Sequence, residues 1–177
     1  MQRRAAELPR LRDLDLGFVM PNGVRADSGA EVAYFVTESM DDLSRLVEHR
    51  ESFMLAPAFM GVFGEPGDEN TADADGIRHV ANRLMDYHER FLTLAERCRD
   101  LQVPSKFSGL MRDCARLMDI PLDGFRVFID FAELVGEMPE LMRHGRGVVS
   151  DAIFLHMDLD DRLITRITKE VRAAAKS

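Results

Sequence analysis

Apolar residues recur every three or four positions between Asp73 and Leu101, which is the spacing of one face of an α-helix. The stripe consists of Ile77, Val80, Leu84, Tyr87, Phe91, Leu94 and Cys98. It predicts one long amphipathic helix, which must bury this face against other elements of the fold. Val103-Pro104 should end the helix, because the residue before a proline disfavours the helical conformation.

Two further helices are predicted after this break, and a second proline separates them. Ser105 can cap a helix that stops near Asp119, and Ile120-Pro121 forms the next break. Pro121 then suits the first position of a third helix, which frays and ends from Gly136 onward. Helices joined by such short links pack side by side, so we expect an antiparallel helical cluster.

The two ends of the chain are predicted from weaker patterns. Residues 30–47 have helical spacing, and we prefer a helix there, although residues 30–37 alone also fit a strand. Apolar and polar residues alternate from Val149 to Leu159, which predicts a short β-strand. Asp158 or Asp160 should then cap a final helix that reaches about Ala175.

These elements together predict a mainly α fold. We expect an antiparallel helical cluster over residues 29–145, followed by a short β-strand and a final helix over residues 146–177. Residues 1–28 are a candidate poorly ordered arm, and residues 1–177 should form a single domain.

Charge and composition restrict the partners and the location of the protein. The net charge of −8 repels phosphate backbones, so nucleic acid is an unfavourable partner. No apolar run approaches the roughly 20 residues that cross a bilayer, and the basic start of the chain does not resemble a secretion signal. Two cysteines, Cys98 and Cys114, are too few for a disulfide framework and should be reduced and buried. We therefore expect a cytoplasmic protein.

Two stretches of sequence resemble a known group of proteins. They are Phe63-Gly64-Glu65-Pro66-Gly67-Asp68, which precedes the long helix, and Phe125-Arg126-Val127-Phe128-Ile129-Asp130. Their order, with Val103-Pro104 between them, is similar to that of uncharacterised bacterial hypothetical proteins. The resemblance implies a helical cluster followed by a short strand and helix, and it carries no activity.

One spacing points to catalysis. Arg83 and His88 form an Arg-x4-His pair that resembles the motif of HEPN-type ribonucleases, which are helical, usually dimeric and often part of toxin or defence systems. In this interpretation Arg83 is a cation beside a phosphodiester and His88 a general base. Leu84 stands where that family prefers a polar residue.

Metal and cofactor sites are not indicated by any spacing of ligand residues. The five histidines form no pair on one helical face, and there is no phosphate-binding loop or dinucleotide fingerprint, so we expect no metal and no cofactor. Asp130, Glu133 and Glu137 share one helical face, which is typical of a solvated acidic surface.

The preferred function is a non-enzymatic, cytosolic interaction or regulatory protein. We expect a homodimer or a protein partner, because a lone strand needs a second strand to pair with. Two alternatives remain open. The first is the HEPN-like ribonuclease with Arg83 and His88, and the second is a helical protein that binds a small apolar ligand between Phe and Met side chains.

Overall fold

The computed structural model describes residues 25–55, 59, 74–137 and 158–177. Within them the chain forms four α-helices, α1 (Gly29–Met54), α2 (Ala74–Asp100), α3 (Ser108–Glu137) and α4 (Asp161–Ala174). A single 3-10 turn at Ser105–Phe107 precedes α3. The mainly helical class is confirmed. The predicted strand from Val149 lies almost wholly outside the described residues, as does most of the predicted arm.

Side-chain caps explain where α1 and α4 begin. The Ser28 hydroxyl accepts the Glu31 N–H at 3.2 Å, and the Glu31 carboxylate accepts the Ser28 N–H at 3.0 Å. This reciprocal capping box satisfies two amides that a helix start leaves free, so residues 30–37 are helical rather than extended. At α4 the Asp160 carboxylate accepts the N–H groups of Arg162 and Leu163, which confirms Asp160 as the cap.

Helices α1 and α2 pack antiparallel. Near the middle of α1, the buried Asp42 carboxylate lies 3.5 Å from the guanidinium of Arg97 near the end of α2. Near the end of α1, Phe53 lies under the guanidinium of Arg83 near the start of α2. Burial raises the pKa of Asp42, and Arg97 opposes this by favouring the carboxylate. The ion pair therefore links the two helices in this register and offsets part of the cost of the buried charge.

Helices α2 and α3 form the largest contact among the described elements. Cys98 of α2 lies against Met118 of α3, with 3.6 Å between the sulfur atoms. Further along, the rings of Phe91 and Phe125 are 5.6 Å apart. Residues later in α2 thus contact residues earlier in α3. The predicted antiparallel pairing is confirmed for these two helices.

The predicted helix break at Ile120-Pro121 is wrong. Pro121 lies inside a continuous α3, where it removes one backbone hydrogen bond and disfavours the helical conformation of Ile120. The apolar face continues across the proline, because Leu117, Met118 and Phe125 are all buried. Each such side chain contributes roughly 1.5 to 3 kcal/mol when buried, so this face outweighs the cost of about 3 kcal/mol for an interior proline.

Helix α4 packs against α1 and α3 and closes the bundle. Leu163, Ile167 and Ala174 are buried on its apolar face, as their spacing predicts. The start of α1 approaches the end of α4 so closely that a Cβ on Gly29 would lie 2.2 Å from the carbonyl oxygen of Ala174. Only glycine fits there.

The segment before α1 is also held in place. Ala26 is buried, and its N–H donates to the carbonyl of Gln102 in the α2–α3 link at 2.9 Å. Ala26, near the end of the predicted arm, is therefore held against the α2–α3 link, and residues 1–24 of that arm lie outside the described residues.

Candidate functional site

Arg83 and His88, the pair identified in the sequence, lie on different sides of α2. The Arg83 guanidinium is 5.8 Å from the centre of the Phe53 ring on α1. His88 lies instead on the side of α3, where burial lowers its pKa and the nearby positive charge of Arg126 lowers it further. Five positions along a helix correspond to a rotation of about 140°. The fold therefore directs the two side chains to separate surroundings rather than to one point.

Arg83 belongs to a polar network between α1 and α2 that the sequence did not predict. The Tyr87 hydroxyl donates to the backbone carbonyl of His49 at 3.1 Å and lies 2.5 Å from the His49 ring nitrogen Nδ1. Burial raises the pKa of Tyr87, opposed by Arg83. Arg50 is only 4% exposed, and burial lowers its pKa against the attraction of Glu51 and Asp158. The network joins the two helices inside an aromatic core.

The aromatic side chains of this core pack against one another. Ring centres are 5.5 Å apart for Phe53 and Phe59, 5.7 Å for Phe53 and Tyr87, and 6.2 Å for Tyr87 and Phe125. These are ordinary distances for packed aromatic pairs. The phenylalanines named here therefore fill the interior.

A cleft of about 370 Å³ lies beside the link between α2 and α3, and we call it the link cleft. Its apolar lining includes Leu101, Val103, Met111 and Ala115, together with the buried Cys98. Three arginines also line it, Arg99, Arg112 and Arg116. An apolar surface edged by guanidinium groups suits a partner that carries both aliphatic groups and carboxylates.

The three arginines differ in how their charges are used. Arg99 forms an ion pair with Asp119 of α3. Arg112 and Arg116 are exposed and one turn apart on α3, and no carboxylate among the described residues lies within ion-pair distance of either. Their guanidinium groups are therefore available to an acidic partner.

Arg112 and Arg116 begin a row of charged side chains along the accessible side of α3, which we call the charged stripe. Its members are exposed or half-buried and are spaced alternately by four and three residues: Arg112, Arg116, Asp119, Asp123, Arg126, Asp130 and Glu133. The exposed Glu137, at the end of α3, continues the same spacing beyond Glu133. The exposed apolar side chains Val127 and Leu134 lie on the same helix at the edge of the stripe. The acidic face that the sequence predicted at Asp130 and Glu133 is thus one end of a longer pattern with an arginine pair at the other end.

The described part of the chain contains neither a metal-binding group nor a membrane-spanning helix. There, no three His, Cys, Asp or Glu side chains come together as a metal-binding group. Among the same residues, no helix combines the length and the apolar character needed to cross a bilayer. Cys98 and Cys114 are buried free thiols, and contact with Cys98 together with burial raises the pKa of Cys114.

Comparisons with known proteins gave no match: no protein-family model fits the chain, and neither the curated proteins nor the solved structures include a detectable relative. The resemblance to bacterial hypothetical proteins stays a prediction.

Proposed function

We propose that this chain is a non-enzymatic interaction protein that binds an acidic, helical partner at the link cleft and at Arg112 and Arg116, the arginine pair that begins the charged stripe. The observation that carries this proposal is the pair Arg112 and Arg116, exposed one turn apart beside an apolar cleft and without a carboxylate partner among the described residues. Exposed arginines that form no internal ion pair are available for carboxylates of another molecule.

The chemistry of the surface favours carboxylates on a folded segment. Two arginines at positions i and i+4 present their guanidinium groups along a helix, which matches carboxylates that recur every three or four positions on a second helix. The apolar lining of the link cleft offers a place for an aliphatic side chain of the partner. The whole chain carries a net charge of −8, so the attraction of an acidic partner is limited to the surroundings of these two arginines. Because the arginines are exposed, salt should screen this attraction strongly.

A binding measurement with a designed peptide tests the proposal. The probe is a short synthetic helix with Glu side chains every three or four positions and leucines between them, and its binding is measured by fluorescence anisotropy at low salt. Replacing Arg112 and Arg116 together by alanine should weaken binding about 10-fold or more, because two charge-assisted contacts are lost.

The matched control replaces Arg162 and Arg172 by alanine. Both are exposed on α4, away from the link cleft, and their loss changes the net charge equally. The control should bind the peptide as the unmodified protein does. Equal weakening in both double variants would show only general charge attraction and would contradict the proposed surface.

We also propose a homodimeric state and a cytoplasmic location. The accessible apolar groups Met85, Val127 and Leu134 on α2 and α3 support association with another protein surface. The free thiols of Cys98 and Cys114 suit a reducing compartment. Light scattering of the purified protein tests the first proposal, and fractionation of the cells that produce it tests the second.

The two alternative functions have direct tests of their own. For the ribonuclease, the lowered pKa of His88 favours the neutral imidazole that a general base requires. Incubation with total RNA should then show cleavage that His88→Ala abolishes, and absence of cleavage would remove this alternative. For an apolar ligand, the link cleft offers Met111 among its described apolar residues, and native mass spectrometry should show a co-purifying small molecule. A spectrum of the protein alone would count against this alternative.

A further inference from the structure

The charged stripe has a sign pattern that is complementary to its own reverse. From Arg112 to Glu133 its charges read plus, plus, minus, minus, plus, minus, minus. Read from the other end, the order of signs of these seven residues is opposite at every position except the central one, Asp123. Glu137, one step beyond Glu133, falls level with the uncharged Gly109 when the row is reversed about Asp123. An ordinary solvated helix face requires no such order, whereas two identical surfaces that meet about a two-fold axis do.

We propose that the helix whose carboxylates Arg112 and Arg116 bind is α3 of a second copy of this chain, packed antiparallel so that the two copies of Asp123 meet at the two-fold axis. This inference rests on the proposed function and names its partner. The stripe is about 32 Å long, because its ends are 21 residues apart and an α-helix rises about 1.5 Å per residue. A stripe of this length has enough charged positions to favour one alignment of the two α3 helices along each other.

In this register each arginine meets a carboxylate. Arg116 lies opposite the partner's Asp130, and Arg112 lies opposite the partner's Glu133. By symmetry the same two contacts occur at the other end of the interface. The two arginines that have no carboxylate within ion-pair distance in the described chain thus obtain one in the dimer.

The middle of the interface contains one kind of favourable contact, which occurs twice by symmetry, and one unfavourable contact on the axis. Asp119, which already pairs with Arg99 in its own chain, also meets the partner's Arg126. Asp123 meets the partner's Asp123, and like charges in contact are destabilising. An unfavourable pair at the centre predicts a weak dimer that a single neutral substitution should strengthen.

Apolar contact is also available in this register. Leu134 is 49% exposed in the isolated chain. It follows Glu133, so antiparallel packing brings it level with the partner's Arg112, which lines the link cleft. The apolar lining of that cleft is then a place for the leucine side chain. Ion pairs at the surface contribute little to affinity, and they serve here to fix orientation and register.

A charge exchange in the full-length protein tests the inference, with the dimer dissociation constant measured by analytical ultracentrifugation at low salt. Arg116→Glu alone and Asp130→Arg alone should each weaken the dimer about 10-fold or more, because each turns two attractions into two repulsions. The double variant should restore the affinity of the unmodified protein. Asp123→Asn should strengthen the dimer several-fold by removing the central repulsion.

The outcomes separate this inference from the proposed function. A dimer whose affinity the double variant does not restore has a different register and overturns the inference. A protein that stays monomeric at high concentration also overturns it, while the peptide measurement with Arg112 and Arg116 still tests the acidic-partner proposal independently. Circular dichroism of every variant confirms that its helices are retained, since all four substituted positions are accessible charged residues.

Discussion

At the scale of a single residue, Tyr87 joins α1 to α2 through its contacts with His49, a role that its position in the sequence does not predict. Its position in the apolar stripe of α2 predicts only that it is buried, and it is. Its hydroxyl contacts depend on which residue of α1 lies opposite, and that register is set by contacts such as Asp42 with Arg97. No spacing within α2 contains this information, so the contact with His49 could not be predicted from the sequence.

Removing the hydroxyl should measurably destabilise the fold. Tyr87→Phe keeps the ring packing but removes the two contacts with His49. We expect the free energy of unfolding to fall by about 1–2 kcal/mol, because the fully buried ring loses its hydrogen bond to the His49 carbonyl and its contact with the imidazole. Urea denaturation at neutral pH measures this loss.

The control is Tyr34→Phe at the other tyrosine, which is 58% exposed, so water can replace the partners of its hydroxyl and stability should change by less than about 0.5 kcal/mol. The pH dependence gives a second check. Because the pKa of Tyr87 is raised in the folded protein, its contribution is complete below the unfolded value of about 10 and is lost as the pH rises above it. The difference between Tyr87→Phe and the unmodified protein should therefore shrink at alkaline pH. Equal stability of Tyr87→Phe and the unmodified protein at neutral pH would contradict a stabilising role of the contacts between Tyr87 and His49.

At the scale of the elements, helical periodicity predicted α2 well and failed at Pro121. The predicted helix from about Asp73 to Leu101 differs from the observed Ala74–Asp100 by one residue at each end, because the stripe and the following Val103-Pro104 both act locally. At Pro121 the local preference for a break competes with an apolar face that packs on α2 on both sides of the proline, at Met118 and at Phe125. Tertiary packing decides such cases, and it cannot be weighed from one segment alone.

Replacing this proline should stabilise the protein. Pro121→Ala restores a backbone N–H to the helix and relieves the steric conflict with the preceding turn. Pro121 is buried, so part of the gain is offset by lost packing, and we expect a net increase of about 1–2 kcal/mol in the free energy of unfolding. Chemical denaturation measures it. A decrease would mean that the ring fills a gap whose packing exceeds the helix penalty.

At the scale of the whole molecule, the bundle follows from its amphipathic helices, while the candidate surface does not. The sequence predicted that Asp130 and Glu133, at one end of the charged stripe, share a helical face. The predicted break at Pro121 assigned Arg112 and Arg116, at the other end, to a different helix. Only a continuous α3 places both halves on one helix in one line. The complementary order of charges therefore became apparent with the structure, although every residue in it can be read from the sequence.

The central claim is that two copies meet through α3 with Asp123 at the axis, and a cross-link at that position tests it most directly. Asp123→Cys places one thiol on each copy at the point of closest approach, while Cys98 and Cys114 are buried. Under mild oxidation we predict a covalent dimer on a non-reducing gel, and Glu48→Cys, exposed on α1, should remain monomeric. Failure of Asp123→Cys to cross-link, or equal cross-linking by Glu48→Cys, would contradict the proposed antiparallel pairing.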